Sequence, residues 1–293
     1  MLRAIVLATL QSSGAALSSL TVRGALEFAG VKASTQECQL VTQVLARAPE
    51  LVPESPWLAS LTQWDALRFV RAALNEKRGE EGDVVLEHAM DRLSKTATWR
   101  MERKVDEILT IAANRETLAM PNFFYRYKAT TGPIAEEACW LSGCDAKGRP
   151  VALFQADRHT PGEIDLALWE QFVIYNAEST IAERGVATGP NGQFSLIVDR
   201  SSSALRNQDP KLAISVLPTL TAHYPELLGS VYVAPVNRLF YAVWAVVRVF
   251  LAEETKRKFI LVRGADWRER LANAVGGNCE IPKHMCTPSG NGK

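Results

Sequence analysis

Residues 231–262 read VYVAPVNRLFYAVWAVVRVFLAEETKRKFILV. The first four are an uncharged run of β-formers, closed by Pro235. Residues 236–251 follow with apolar side chains at helical spacing. Residues 259–262 are a second apolar β-forming run. Strand, helix and strand in immediate succession are the repeating unit of a largely parallel α/β sheet. The helix is unusual. Val236, Leu239, Phe240, Val243, Val246, Val247 and Phe250 share one face, and Tyr241, Trp244 and Leu251 widen that face to most of the circumference. Only Arg238 and Arg248 are charged. A surface helix needs a polar face, so this one is buried in a core, covers an apolar ligand or meets a membrane. The cluster Lys256-Arg257-Lys258 follows it. A basic cluster beside an apolar helix suits an anionic headgroup beside acyl chains, or a solvated helix end favoured by the dipole.

The same grammar extends outward. Residues 194–198 read as a strand ending at Asp199, 211–223 as a helix, and 267–275 as a last helix. Residues 139–144 and 151–156 flank the turn 145–150 (DAKGRP) and read as a hairpin. Residues 166–182 are helical, 185–192 a loop, and the tail from Thr287 is loose. The first third has no strand pattern. A helix is expected over 35–46, then breaks at Pro49, Pro53 and Pro56. Trp64, Leu67, Val70 and Leu74 share a helical face, and 75–83 is a charged turn. Val85, Leu86, Ala89, Met90, Leu93 and Ala97 mark another helix, and 103–113 a shorter one. The expected division is a leader over 1–34, a small all-α subdomain over 35–115, and an α/β domain over 116–293. Residues 1–26 carry Arg3 and Arg23, no acidic residue and many Ser and Thr, a composition that suits a cleaved organellar targeting segment. A frayed leader or a first helix is the other reading.

The chain has 293 residues with 47% hydrophobic and 22% charged, enough for a sizeable core and too apolar for wholesale disorder. The net charge of +1 gives no global field for nucleic acid. Five cysteines without a regular framework favour a reduced, cytoplasmic protein. No apolar stretch approaches the ~20 residues of a spanning helix.

Catalytic motifs fail one by one. Gly143 and Gly148 have the spacing of a phosphate loop, but Arg149 and Pro150 stand where that loop needs Lys and a hydroxyl. There is no G-x-S-x-G elbow and no H-E-x-x-H helix. Cys279, His284 and Cys286 lie near one another, as do Cys139 and Cys144, without the tight pairs of a zinc site. The reading is no enzyme, no metal and no cofactor.

Taken in order, the motifs resemble the CRAL-TRIO lipid-binding family, of the phosphatidylinositol transfer type. Leu67-Arg68-Phe69-Val70-Arg71-Ala72 is similar to the family's Leu-Arg-Phe-Leu-Arg-Ala. Thr98-Trp99-Arg100 with Val105-Asp106-Glu107-Ile108 is similar to the segment after it. The 145–151 stretch DAKGRPV matches the family hairpin, Ile197-Val198-Asp199 the strand ending in Asp, and His223-Tyr224-Pro225-Glu226 the Tyr-Pro-Glu motif. Residues 240–258 resemble the gate helix and its exit, and Ile281-Pro282 the terminal Leu-Pro. The similarity runs from about Leu58 to Met285.

The resemblance implies a mixed sheet with flanking helices, a pocket for one lipid, and a mobile gate helix. It implies a phosphatidylinositol headgroup site at Glu226, Thr255 and Lys258. Lys supplies charge to the phosphate, Thr donates a hydrogen bond, and Glu accepts from inositol hydroxyls or orients the Lys. The acyl pocket and gate fall to Phe194, Leu196, Val198, Leu239, Phe240, Val243, Trp244, Val247 and Phe250. The implied partners are phospholipid, a transient membrane surface and lipid kinases, for a monomer peripheral at membranes. Three features depart from the family, one being the 75–83 turn, more charged than the usual short link. The family's phosphatidylcholine pocket uses small hydroxyl residues on the strand before the Asp. Here Phe194, Leu196 and Val198 take that face and Ser195 points the other way, so a more hydrophobic second lipid is expected. Val233-Ala234-Pro235 replaces Asn-Ala-Pro before the gate. The competing function is a lipid sensor or interaction module that holds its ligand without transferring it.

Overall fold

The computed structural model describes residues 18–28, 31–108, 140–163, 165–184, 192–251 and 253–285. The chain divides into two compact units, Met1–Arg103 and Lys104–Lys293. The expected boundary at 115/116, most of the loop 185–192 and the tail from Thr287 lie outside the described residues.

The first unit is helical: α1 (Ser19–Phe28), α2 (Thr35–Arg47), α3 (Pro56–Ala59), α4 (Gln63–Glu76) and α5 (Gly82–Glu102). Ser34 starts α2 through a reciprocal cap, with the Glu37 N–H donating to Ser34 Oγ and the Ser34 N–H to Glu37 Oε2. Thr62 and Asp65 start α4 in the same way. Arg71 Nε donates to Glu37 Oε1 at 2.7 Å, so the second arginine of the LRFVRA stretch ties α4 to α2. Burial pushes the Glu37 carboxyl up, but the Arg71 and Ser34 hydrogen bonds win and hold it below its ordinary range. Helix α1 lies inside the stretch read as a leader. Val22 and Val31 are fully buried, and Arg23 Nη2 donates to Thr35 Oγ1 at 2.8 Å. This agrees with the first-helix reading of the stretch, and the buried Val22 packs it into the helical unit.

The second unit is a five-stranded mixed sheet in the order β1-β2-β3-β4-β5: Trp140–Cys144, Pro150–Gln155, Phe194–Asp199, Leu228–Ala234 and Phe259–Leu261. The β1–β2 hairpin is antiparallel and every other pairing is parallel. Its connections carry α6 (Leu166–Arg184), α7 (Pro210–His223), α8 (Arg238–Val247) and α9 (Glu253–Arg257), and α10 (Trp267–Val275) follows β5.

The DAKGRPV turn works as a rivet. Asp145 Oδ2 accepts from Arg149 Nε at 2.8 Å and from Ser195 Oγ at 2.7 Å, while Arg149 Nη2 donates to Ser230 Oγ at 2.9 Å. One turn is thereby fixed to both β3 and β4. Gly229 is required beside it, since a Cβ there would collide with the Arg149 side chain. The free edge of β1 is covered by the segment after α10, where Asn278 and Glu280 donate to the carbonyls of Cys144 and Ser142.

Period-two alternation gives the sheet two unlike faces. On one, Val151, Leu153, Ile197, Tyr232 and Ala234 pack under Trp267, Leu271 and Val275 of α10, and all are buried. On the other, Leu196, Val198, Leu228, Phe259 and Leu261 remain half-buried beside Val231, Val233 and Val236. The helices on this second side leave an apolar surface incompletely covered.

Candidate functional site

The expected helix over 236–251 is shorter. Val236 donates to the carbonyl of Val262 and joins the sheet core, so Asn237 becomes the cap, its Oδ1 accepting from Phe240 N–H at 2.9 Å. The α-helix ends at Val247, and residues Arg248–Phe250 tighten into a 3-10 turn. Phe240, Val243, Trp244 and Val247 face inward. Phe240 packs on the Val231, Val233 and Val236 cluster, and the Trp244 ring lies 4.7 Å from that of Phe259. Phe194, half-buried, stands at the start of β3, with Leu196 and Val198 beyond it on the incompletely covered face. Leu239 and Phe250 do not join them; they are 43% and 55% exposed, alongside Tyr241, Val246 and Val249. The helix therefore has an apolar face toward the sheet and a second apolar face toward solvent. Among the described residues, no helix is long and apolar enough to cross a membrane.

Ser195 does point away from the half-open face, into the Asp145–Arg149 rivet, where it is fully buried. The face is thus lined by aliphatic and aromatic side chains on β3, without a hydroxyl.

The polar group of the site sits at the N-terminal edge of the parallel strands. Gln193, Glu226 and Lys258 each stand just before a strand, β3, β4 and β5 respectively, and parallel neighbours bring such positions together. Lys258 Nζ lies 3.8 Å from Glu226 Oε1 and 4.0 Å from Glu254 Oε1. Gln193 Nε2 donates to Glu226 Oε2 at 3.0 Å. Glu226 has φ +56°, a left-handed conformation costing a non-glycine residue about 1–3 kcal/mol. That conformation follows Pro225 and directs the turn back toward β4. Thr255 is in α9, and its carbonyl accepts the Lys258 N–H at 3.1 Å. Its hydroxyl has no hydrogen-bond partner among the described residues. Glu226 and Lys258 thus meet through their side chains, with Gln193 and Glu254 beside them, while Thr255 is joined to Lys258 through the backbone. Gln193 is found only through strand adjacency, whereas Glu254 lies four residues before Lys258, a spacing visible in the sequence.

No group of three or more His, Cys, Asp or Glu among the described residues is placed to hold a metal ion. Other histidine–carboxylate contacts are His159 with Asp209 at 3.0 Å, His284 with Asp199 at 2.7 Å, and His88 with Glu76 at 2.6 Å, where Glu76 also holds Arg92. Asp209 also caps α7 through the Leu212 N–H, which gives it a structural use.

A family model described as the CRAL/TRIO domain matches residues 135–284. A CRAL-TRIO domain-containing protein of Caenorhabditis elegans is 25% identical over 257 residues, covering 76% of this chain and 32% of that protein. Patellin-4 of Arabidopsis thaliana is 26% identical over 269 residues, covering 86% of this chain and 43% of that protein. The crystal structure of Sfh5 superposes with a TM-score of 0.52 at 14% identity, covering 88% of this chain and 93% of that one. At that identity the likeness shows the fold. The chain spans 31% to 43% of the length of these curated relatives and of the mosquito protein real-time.

Proposed function

The chain belongs to the CRAL/TRIO domain family, and on that premise we propose that it binds one phospholipid, phosphatidylinositol, and exchanges it at membranes. The observation that carries the reading is Lys258 beside Glu226, at the edge of an apolar sheet face covered by an apolar helix. The ammonium meets the lipid phosphate. The Thr255 hydroxyl donates to the same group, and Glu226 accepts from inositol hydroxyls. The acyl chains lie against Leu196, Val198, Phe240 and Phe259, where burial contributes roughly 25 cal/mol per Å² of apolar surface. Release requires α8 and the turn after it to swing aside, and the exposed Leu239, Val246 and Phe250 then enter the membrane in place of water. The product of this exchange is lipid presented to kinases that phosphorylate inositol headgroups.

The decisive experiment is mass spectrometry of the lipid that copurifies with the full chain from a eukaryotic host. The expected result is phosphatidylinositol at near one per protein, lost in Lys258→Ala. A neutral lipid alone would leave the pocket standing and remove the headgroup assignment. The hydroxyl-free β3 face favours a second reading, a module that holds a more hydrophobic lipid without transferring it. Vesicle-to-vesicle transfer rates separate the two.

A further inference from the structure

At the opposite end of the same strands lies a second cation, which neither the sequence motifs nor the headgroup reading uses. Arg200 follows directly on β3 and is 6% exposed. Its backbone N–H donates to the carbonyl of Ala234, and Nη1 donates to the carbonyl of Pro235 at 3.1 Å. Its guanidinium carbon stands 4.4 Å above the ring of Phe240, on the inward face of α8. Among the described residues no carboxylate pairs with it. The adjacent Asp199 is already engaged, Oδ1 by the Ser201 N–H at 2.8 Å and Oδ2 by His284 Nε2 at 2.7 Å. Arg149 is comparably buried but is neutralised by Asp145 at 2.7 Å.

A buried guanidinium carries five donors and a full charge. Removing it from water without an anion is costly, and the cation–π contact with Phe240 recovers only part of that. Burial lowers its proton affinity below that of an ordinary arginine. Nε and Nη2 make no hydrogen bond to the described residues, while one face of the guanidinium is packed on an aromatic ring of the apolar cluster. This is the arrangement of an anion site waiting at the end of an apolar surface. Seven residues of β4 separate the two ends, a span of about 20 Å at the rise of a strand.

We propose that Arg200 anchors the oxyanion of a single-chain acyl lipid, which lies along the half-covered face of the sheet with its charged end at the C-terminal edge. The proposal rests on the lipid-pocket reading and names a second ligand class for it. A diacyl phospholipid headed by Lys258 would deliver a terminal methyl group to the Arg200 end. A fatty-acid carboxylate or a lysophosphatidate phosphate delivers charge there instead. A bidentate guanidinium–oxyanion contact supplies both geometry and strength.

The test uses the delipidated full chain and three oleoyl probes: oleate, 1-oleoyl lysophosphatidate and methyl oleate. Binding is measured by calorimetry for wild type, Arg200→Gln and Arg200→Lys. The expected result is that one of the two anions binds wild type more tightly than the neutral ester. Arg200→Gln then weakens that anion by about tenfold or more, the worth of a charged hydrogen bond. Methyl oleate is unchanged, which also shows the variant is folded, and Arg200→Lys retains much of the anion preference. Whichever anion shows the loss identifies the source of the oxyanion. Equal affinity of wild type for anions and ester, or equal weakening of all three by Arg200→Gln, overturns the anchor and leaves the pocket intact. Failure of all three probes to bind wild type overturns the pocket reading as well.

Discussion

Asp145 and Arg149 form an ion pair sealed inside the second unit, with side-chain exposures of 0% and 4%. Further hydrogen bonds reach two other strands, Asp145 receiving Ser195 and Arg149 reaching Ser230, while Asp145 Oδ1 accepts the Lys147 and Arg149 N–H groups of its own turn. A buried pair is weak evidence of net stability, but removing one partner strands the other charge. Asp145→Asn and Arg149→Met should each cost about 3–5 kcal/mol, read as a lower urea midpoint in equilibrium unfolding. A loss below about 1 kcal/mol, the scale of an exposed pair, would show that the rivet is not what holds the turn to the sheet.

The same pair gives a pH dependence of known sign. Burial pushes the Asp145 carboxyl up, yet hydrogen bonds from Arg149 and Ser195 with the nearby guanidinium charge hold it below its ordinary value. A carboxyl depressed in the folded state contributes stability above its unfolded value, near 3.9, and loses it as pH falls through the folded value. Glu37, depressed by Arg71 and Ser34 against its own burial, behaves alike in the helical unit. Wild type should therefore destabilise steeply below about pH 4. Asp145→Asn should show a shallower acid slope over that range. Parallel slopes for the two proteins in urea titrations would deny Asp145 its role.

At the headgroup edge the balance of effects is different. The Lys258–Glu226 contact, at 3.8 Å, is too long for a strong hydrogen bond and lies at the edge of the sheet rather than among the side chains of its core. Lys258→Ala should hardly move the melting temperature while abolishing phosphatidylinositol loading. Glu226→Gly should be at least as stable as wild type, because glycine adopts φ +56° without strain, and yet bind the lipid more weakly. Vesicle transfer assays beside thermal melts separate binding from folding; normal transfer by both variants would remove this edge from the site.

How much of this is legible without coordinates depends on whether the signal is local. The strands and helices of the second unit follow from periodicity, and the 267–275 helix and the hairpin fall where their apolar spacing and turn residues place them. The direction of Ser195 follows from alternation along a strand. Glu226 and Lys258 come from separate loops, yet ordered motifs point to both. Gln193 and Arg200 carry no motif, and their meaning comes only from which strands are neighbours, while Glu254 is within reach of Lys258 by its i,i+4 spacing. Val236 illustrates the limit of periodicity. Its position fits the helical face, but its N–H is claimed by Val262, and the helix starts two residues later. Helix α1 answers to the first-helix reading of residues 1–26, with Val22 fully buried within a stretch whose composition also suits a leader.

Gly143 tests the covered edge of the sheet. It has φ +78°, and a Cβ there would run into the backbone carbonyl of Asn278. Both conditions reject a side chain: the conformation is strained for an L-residue, and the obstructing atom is backbone, which cannot rotate away. Gly143→Ala should cost about 1–3 kcal/mol from the conformation alone. Displacement of the 278–280 segment should then expose the β1 edge, read as faster hydrogen exchange at Cys144 and Asn278. Unchanged exchange at both amides would mean that the edge is held by something other than this close approach.

The outer face of α8 makes the last prediction. Leu239, Val246, Val249 and Phe250 are 43%, 50%, 73% and 55% exposed, and Arg238 and Arg248 stand among them. Water gains nothing from such a face, whereas an anionic bilayer offers apolar depth and a negative surface together. Each buried apolar group adds affinity, and each basic residue near the surface about 1 kcal/mol. Val246→Glu with Phe250→Glu should therefore abolish sedimentation with phosphatidylserine-containing vesicles. The melting temperature should hold or rise, since neither side chain packs inward. Transfer should fall in parallel, while lipid already loaded stays bound, because the inward Phe240, Trp244 and Val247 are untouched. Undiminished vesicle binding by the double variant would assign this face to another partner and detach release of the lipid from membrane contact at α8.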